Sequence, residues 1–221
     1  MSAEAAMGAK TWMAVYADGS VPTLLRAQPV LNRNASEIVA KRLFPKEMLT
    51  PLEDGDLSFT SPPDDELLVG CLGGVTILAA AEFGRDRPST LPSAFIEESR
   101  GRTLYLHAMH SVVDWFAYAV WRDAKLGRAL SLSPDDGIIE DIGTREPFEE
   151  PYWNGDHPAV DPSEEDEAAY PFPFHPLELG EAALGALLGY HLEGPIDASL
   201  LEPESIPLAR FKRSKSWWKL W

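Results

Sequence analysis

Short apolar runs separated by turn-forming residues recur along most of this chain, a pattern typical of β-strands. The run Thr11–Ala17 is mostly apolar and ends at Asp18–Gly19, which predicts a buried first strand followed by a turn. Glu66–Phe83 holds two apolar runs around Gly73–Gly74, and a glycine pair readily adopts the positive φ angles of a tight turn. We therefore expect a first strand and, farther along, a β-hairpin.

Three more strands are predicted between Thr103 and Ser133, where apolar and β-prone residues dominate. We expect Asp123–Ala124 to turn the second of these strands into the third. The expected bounds of the three strands are 103–110, 115–122 and 126–133.

Helical signals lie between the strands. Asn34 and Glu37 have the spacing of a capping box, which predicts a helix that starts at Asn34 and ends at Pro45. A short helix is also expected near 93–99, before Gly101. The core-facing residues of the first helix are predicted to be Ile38, Val39 and Leu43.

The order of strand, helix, hairpin, helix and three strands fits neither a regular βαβ alternation nor an all-β domain. A longer helix is expected over Leu177–Leu192, and Gly194–Pro195 ends it. The sequence thus predicts a single α+β domain with a largely antiparallel or mixed central sheet and flanking helices. We place this domain at 10–211, between a leader at 1–9 and a basic, Trp-rich tail at 212–221.

Residues 134–176 differ in composition from the rest of the chain. Thirteen acidic residues lie between Asp135 and Glu167, opposed only by Arg145, and prolines interrupt the segment repeatedly. Regular structure cannot run far through such a segment, which predicts an acidic, Pro-rich arm. Its aromatic residues indicate that at least its two ends pack against the domain, because disordered segments are poor in aromatics.

The 221 residues include 35 acidic and 19 basic ones, which gives a formal net charge of −16. This charge repels a phosphate backbone, so we expect no direct binding of nucleic acid. The net negative charge keeps the protein soluble, and it also favours binding to a basic protein partner. Because the chain has neither a signal-peptide pattern nor an apolar run near the roughly 18 residues of a membrane span, we expect a cytoplasmic protein without a transmembrane segment.

The tail at 212–221 combines basic residues with tryptophans, a composition that suits a membrane interface or an anionic polymer. For so short a tail we favour a frayed terminus, or one that folds back on the acidic arm. The residues concerned are Lys212, Arg213, Lys215, Trp217, Trp218, Lys219 and Trp221.

His107, His110 and Asp114 form a histidine cluster that would suit zinc or iron if the three side chains converged. Residues three apart in an extended strand face opposite sides of the sheet, so convergence requires a bend near the turn that follows His110. The alternative is that both histidines are packed, hydrogen-bonded residues. We favour this alternative and expect neither a metal nor a cofactor.

A hydrolytic site is another way to use these residues. Ser111 or Ser133 would act with His107 or His110 and an acid such as Asp114. Neither serine lies in a G-x-S-x-G elbow, so no motif supports this arrangement. Four more carboxylates could serve acid–base chemistry: Asp135, Asp136, Glu140 and Asp141. They could equally form a turn and a solvated surface.

Aromatic residues outside the predicted core offer a non-catalytic use, because loop aromatics often line binding sites. The candidates are Trp115, next to the histidine cluster, and Tyr152 and Trp153 in the acidic arm. We therefore predict a non-catalytic binding or protein-interaction module, with a basic protein or a small molecule as its partner. The alternatives are a hydrolase or metal-dependent enzyme at the histidine cluster, and an acidic inhibitor or immunity-type protein that binds a basic partner.

Several segments carry a family resemblance: GAKTWMAVYADG, LYLHAMHSVVDWFAYAVW, LSLSPDDGIIEDIG, FEEPYW and FHPLELGEAALGALLGYHLEG. Over Gly8–Phe211 the chain resembles an uncharacterised bacterial family, common in actinobacteria, that is known as a domain of unknown function. The resemblance implies that relatives start at the equivalent of Met7, which marks Met1–Ala6 as a leader or an alternative start. It also implies a glycine in the turn where this chain has Ala124. It also implies one compact unit in an intracellular protein, and no activity, ligand or catalytic residue.

Overall fold

The computed structural model describes residues 9–160, 170–194 and 197–215. Within these ranges one ten-stranded sheet forms, and its paired strands run antiparallel. The strands are β1 (Lys10–Ala17), β2 (Glu47–Pro51), β3 (Gly55–Asp56), β4 (Glu66–Leu72), β5 (Val75–Ala79), β6 (Thr103–His110), β7 (Trp115–Arg122), β8 (Lys125–Ser133), β9 (Gly137–Gly143) and β10 (Pro207–Lys215). Their order is β2-β10-β4-β5-β1-β6-β7-β8-β9, with β3 also paired to β10. A large antiparallel sheet with a few helices agrees with the predicted α+β class.

Helices lie on both faces of this sheet. On one face, a Cβ added to Gly180 would lie 2.7 Å from Sδ of Met109, so the helix that carries this glycine packs closely on β6. On the other face, the Tyr16 hydroxyl donates a hydrogen bond of 3.0 Å to the carbonyl of Phe95. The α-helices of the described residues are α1 (Val21–Arg26), α2 (Arg33–Leu43), α3 (Ser93–Glu97), α4 (Glu150–Trp153) and α5 (Pro176–Ala183). We call the two faces the α5 face and the α3 face.

The central strands are buried on both faces, which is why their sequences read as continuous apolar runs. Met13–Ala17 of β1 and Trp115–Trp121 of β7 are buried at every position. The predicted hairpin is confirmed, since β4 and β5 flank Gly73 and Gly74, whose φ angles are +41° and +92°. The bounds predicted for β6 and β7 are also confirmed.

Asp123 and Ala124 form the turn between β7 and β8, as predicted, and both have positive φ angles, +52° and +60°. A hairpin turn with two such residues matches the twist of the strands. Alanine in the left-handed region is strained, because its Cβ approaches the following carbonyl oxygen.

Replacing Ala124 with glycine is therefore expected to raise the free energy of unfolding by about 0.5 to 1 kcal/mol, after allowing for the greater freedom of glycine in the unfolded chain. Urea denaturation followed by circular dichroism measures this change. Asp123→Gly is the matched comparison and should gain less, because Oδ1 of Asp123 accepts a 3.0 Å hydrogen bond from the Gly101 amide. A less stable Ala124→Gly variant would contradict the expectation.

The N-cap of the first predicted helix is Asn32, two residues before the predicted Asn34, and the helix starts at Arg33. Oδ1 of Asn32 accepts a 3.0 Å hydrogen bond from the Ala35 amide, and the backbone at Asn32 is extended, as an N-cap requires. Asn34 lies in the first turn of α2, so the predicted capping box is wrong. Of the predicted core residues Val39 and Leu43 are buried, whereas Ile38 is 53% exposed.

The predicted helix Leu177–Leu192 ends before its expected stop. After α5 the chain makes a π-helical turn, Leu184–Leu188, in which the Gly189 amide donates to the carbonyl of Leu184 at 2.9 Å. Gly189 has a φ angle of +87°, typical of the residue that ends a helix, and a Cβ added to it would lie 2.8 Å from Cβ of Pro22 in α1.

Two further predictions of irregular structure are wrong in part. The expected arm at 134–176 contains β9, which pairs with β8, and also α4. The first residues of the expected tail, Lys212–Lys215, belong to β10, between β2 and β4. The rest of the tail at 216–221, the leader up to residue 8 and the acidic residues within 161–169 lie outside the described residues. No helix of the described residues is long and apolar enough to cross a membrane.

Candidate functional site

His107 lies on the α5 face and is a packed residue of the core. Its Nε2 is 3.0 Å from the carbonyl oxygen of Gly180, which only accepts, so Nε2 carries the proton and donates. Nδ1, 2.7 Å from Oγ1 of Thr11, then accepts from that hydroxyl. Burial lowers the pKa of His107 to about 4, so the ring is neutral at pH 7. Both ring nitrogens are used, which leaves no free lone pair for a metal or for a nucleophile's proton.

His107 also makes the stability of the fold depend on pH. Because burial lowers its pKa from 6.5 to about 4, the unfolded chain takes up a proton at a higher pH than the folded protein. This residue therefore destabilises the fold as pH falls from 6.5 to 4. In His107→Gln, whose amide can still donate and accept, we expect this dependence to weaken by up to about 1.4 kcal/mol per pH unit.

Urea unfolding at a series of pH values measures the effect. Glu181 acts in the opposite direction, because burial raises the pKa of its carboxyl to about 7, and the folded form then gains stability as pH falls. The comparison is therefore made between Glu181→Gln and the double variant with His107→Gln. Identical pH dependence in the two proteins would show that His107 is not the titrating group.

The three members of the histidine cluster do not converge. β6 stays extended through His110, which pairs with Trp115, so His110 lies on the α3 face and His107 on the α5 face. Asp114, at a φ angle of +46°, directs Oδ2 toward Nε2 of His175 at 3.5 Å. Among the residues that the structure describes, no group of three or more histidines, cysteines and carboxylates is placed to hold a metal ion.

The serines predicted as nucleophiles are not paired with a histidine in the described ranges. Ser133 Oγ donates to Oδ2 of Asp136 at 3.1 Å and accepts from the Asp136 amide at 3.1 Å. Ser111 begins the turn after β6, and its amide donates to the carbonyl of Ala9 at 3.1 Å. Each serine therefore supports a turn.

Two of the other candidate carboxylates, Glu140 and Asp141, are also engaged by protein groups. Glu140 is buried and accepts from the amide and the hydroxyl of Ser89, at 2.9 and 2.6 Å. Asp141 pairs with the buried guanidinium of Arg128 on the α5 face. These contacts tie β9 to neighbouring segments.

Tyr152 and Trp153 pack in an aromatic cluster on the α5 face. The Tyr152 hydroxyl donates to the carbonyl of Glu178 at 3.2 Å, and Trp153 Nε1 donates to the Glu149 carboxylate at 3.3 Å. The Trp153 ring meets the ring of Phe174 edge to face, with centroids 4.9 Å apart. These contacts fix α4 against the core, so both residues fill space here.

Trp115, the third predicted binding residue, lines a cavity of about 310 Å³ on the α3 face. The cavity lies at the ends of β1, β6, β7 and β8, beside the segment that follows β5. We call it the tryptophan cleft. Its lining residues are Trp12, Gly84, Asp86, His110, Val113, Trp115, Ser133, Asp135 and Asp136.

Three aromatic rings form the walls of the tryptophan cleft. The centroid of the Trp12 ring is 5.8 Å from that of Trp115, with an angle of 51° between the planes, and 5.8 Å from that of His110. Trp115 is buried, and its Nε1 donates to Oγ of Ser131 at 3.2 Å, which fixes this wall. A Cβ added to Gly84 would lie 2.7 Å from the Trp12 ring, so only glycine fits beside that indole.

Nδ1 of His110 is buried and has no hydrogen-bond partner among the described residues. Burial and the nearby ammonium of Lys10 lower the pKa of His110, so its ring is neutral at pH 7. A buried polar atom without a partner costs about 1 to 3 kcal/mol.

Sequence reasoning found Trp115 and His110 but missed Trp12, Gly84 and Asp86. Trp12 joins His110 because β1 pairs with β6, with Trp12 opposite Ala108. That pairing joins segments almost a hundred residues apart, and no local pattern specifies it. The available signal was the alternation along β1, which places Trp12 on the face opposite Met13.

A family model matches residues 11–211. The chain belongs to DUF6928, a family of unknown function. The DUF6928 match starts in β1 and ends in β10, so it includes every residue of the tryptophan cleft. The predicted resemblance to a family of unknown function is thus confirmed. No curated protein and no solved structure matches the chain.

Proposed function

We propose that this protein is a non-catalytic binding module that holds its ligand in the tryptophan cleft. The observation that carries the proposal is the corner that the Trp12 and Trp115 rings form, with centroids 5.8 Å apart, in a cavity that His110 also lines. Ligand sites are mostly apolar cavities with a few well-placed polar groups. A ligand that covers the indoles and bonds to a polar group of the lining satisfies both requirements.

The contacts of the predicted catalytic residues favour binding over catalysis. His107 uses both ring nitrogens inside the core, and Ser133 is held by Asp136. A nucleophile needs a base within hydrogen-bond reach. In the described ranges, the Ser111 hydroxyl has no such base, and the Ser133 hydroxyl meets the carboxylate of Asp136 instead of a histidine.

A fragment screen by ligand-observed NMR tests the proposal. We expect binders whose signals respond to the wild-type protein and lose that response in His110→Phe, which fills the same space without ring nitrogens. His157→Phe is the matched control, because this exposed histidine stacks on Tyr152 on the α5 face, at 4.3 Å between centroids. Finding no binder, or binders that His110→Phe does not affect, would overturn the proposal.

The acidic, Pro-rich arm at 134–176 is the second part of the proposal. We propose that the protein is bacterial and cytoplasmic and that the acidic stretch after α4 steers a basic partner toward the domain, because it carries Asp156, Asp161 and the acids of Glu164–Glu167 with no lysine or arginine among them. Neutralising Glu164–Glu167 is expected to reduce recovery of the partner in low-salt pull-downs. Unchanged recovery would count against the arm's role and leave the cleft's role standing.

A further inference from the structure

We infer that the tryptophan cleft recognises an ammonium or guanidinium group, carried by a free organic cation or by a lysine or arginine side chain of a basic partner. This inference rests on the proposed function, since it specifies the chemistry of the ligand in the same cleft.

The aromatic walls suit a cation. A cation within about 6 Å of an indole centroid is attracted by the negative face of the ring. Trp12 and Trp115 form a corner, with centroids 5.8 Å apart and planes 51° apart, so a group in that corner meets two indoles. The protein's own Lys10 already makes this contact, because its Nζ lies 4.9 Å from the Trp12 centroid.

The charge of the lining points the same way. Three aspartates, Asp86, Asp135 and Asp136, line the cleft, and they outnumber the ammonium of Lys10 that lies over the Trp12 ring. Asp136 is bonded to Ser133. Asp86 and Asp135 have no hydrogen bond or ion pair from a side chain among the described residues, so their carboxylates are available to a cation. An anionic ligand would be repelled from the same position.

His110 adds a directional contact. Its ring is neutral, because burial and Lys10 lower its pKa, so one ring nitrogen can accept an N–H from the ligand. Ammonium and guanidinium groups carry N–H donors as well as charge, whereas a quaternary ammonium ion carries charge alone.

Matched pairs of probes test the inference by NMR titration. We compare n-butylguanidinium with n-butylurea and n-butylammonium with n-butanol, which differ mainly in charge. The cations are expected to bind at least about tenfold more tightly than their neutral counterparts, since each 1.4 kcal/mol is a factor of ten. Equal affinity within both pairs would overturn the inference while leaving the proposed binding function intact.

Charge-matched variants show whether the cleft itself is responsible. Asp86→Asn with Asp135→Asn should weaken n-butylguanidinium binding about tenfold. The control, Asp64→Asn with Asp156→Asn, changes the net charge equally at exposed positions outside the cleft lining and should have little effect. Equal weakening in both double variants would mean non-specific attraction and would overturn the inference.

Lys10→Met probes the internal competitor. Removal of its ammonium from the Trp12 ring is expected to tighten n-butylguanidinium binding severalfold, and the gain should persist in high salt, where long-range attraction is screened. Loss of affinity in this variant would contradict the assigned position of the ligand.

Capped peptides that carry arginine or citrulline between glycines distinguish a free organic cation from a side chain of a basic partner. Tighter binding of the arginine peptide than of n-butylguanidinium identifies a basic partner, and the reverse identifies a free cation.

Discussion

Glu149→Ala is expected to lower the free energy of unfolding by about 3 to 5 kcal/mol, because it leaves a buried guanidinium without its main partner. Glu149 and Arg128 are fully buried on the α5 face. The carboxylate of Glu149 accepts from Nε and Nη2 of Arg128 at 2.8 and 2.6 Å, and also from the Tyr118 hydroxyl. It further accepts from the Glu146 amide at 2.8 Å, so one side chain joins β7, β8 and the start of α4.

Urea denaturation measured by circular dichroism tests this result, and Glu150→Ala is the matched control. Glu150 is the next residue, is exposed and forms no side-chain hydrogen bond or ion pair with the described residues, so its removal should change stability by no more than about 0.5 kcal/mol. Similar losses in the two variants would show that the buried network contributes little.

A second variant separates the buried charge from general damage to the core. Arg128→Met combined with Glu149→Leu removes both charges together. Replacing a buried ion pair by apolar residues is often neutral, whereas removing one partner is not. We therefore expect the double variant to be more stable than Glu149→Ala, and a less stable double variant would contradict this account.

Arg213→Met is expected to lower the free energy of unfolding by about 2 to 4 kcal/mol, because two carboxylates lose their shared partner. Arg213 lies in β10, where its Nη2 is 2.7 Å from Oε1 of Glu47 and its Nη1 is 2.9 Å from Oε2 of Glu82. Its guanidinium also lies 4.7 Å from the centroid of the Phe44 ring. This side chain thus connects β10 to β2 and to the segment that follows β5.

Lys212→Met is the matched control for Arg213→Met. Lys212 precedes Arg213 in the same strand but is half-exposed and pairs with Asp65 at 2.6 Å on the surface. A surface ion pair contributes little to stability, so this variant should remain near the wild-type stability in urea. Equal losses of stability in Lys212→Met and Arg213→Met would show that the contacts of Arg213 stabilise the fold no more than a surface ion pair does.

Local patterns were enough to predict most strands and turns. Apolar runs interrupted by turn residues located the β4–β5 hairpin and gave the bounds of β6 and β7. The pair Asp123 and Ala124 was recognised as a turn, although alanine is strained there. These features depend on neighbouring residues, because turn chemistry and alternation act over only a few positions.

Local patterns failed where a distant contact decided the outcome. Pro207–Lys215 reads as an extended segment that runs into a basic tail, yet it pairs with Glu66–Val69, about 140 residues earlier. Gly137–Gly143 reads as part of an acidic arm, but pairing with β8 makes it a strand. In both segments charged residues interrupt the apolar alternation of a strand. These charged side chains pair with side chains of other elements, which the local sequence does not show.

By itself, the sequence determined the α+β class, the hairpin turns and the opposite orientation of His107 and His110 in an extended strand. All three follow from the period of a strand and the φ preferences of turn residues. Only the tertiary structure decided that β6 remains extended as far as His110, and that Trp12 from β1 and Asp86 meet this histidine in one cleft. The register of strands far apart in sequence sets these positions, because burial of whole faces selects that register.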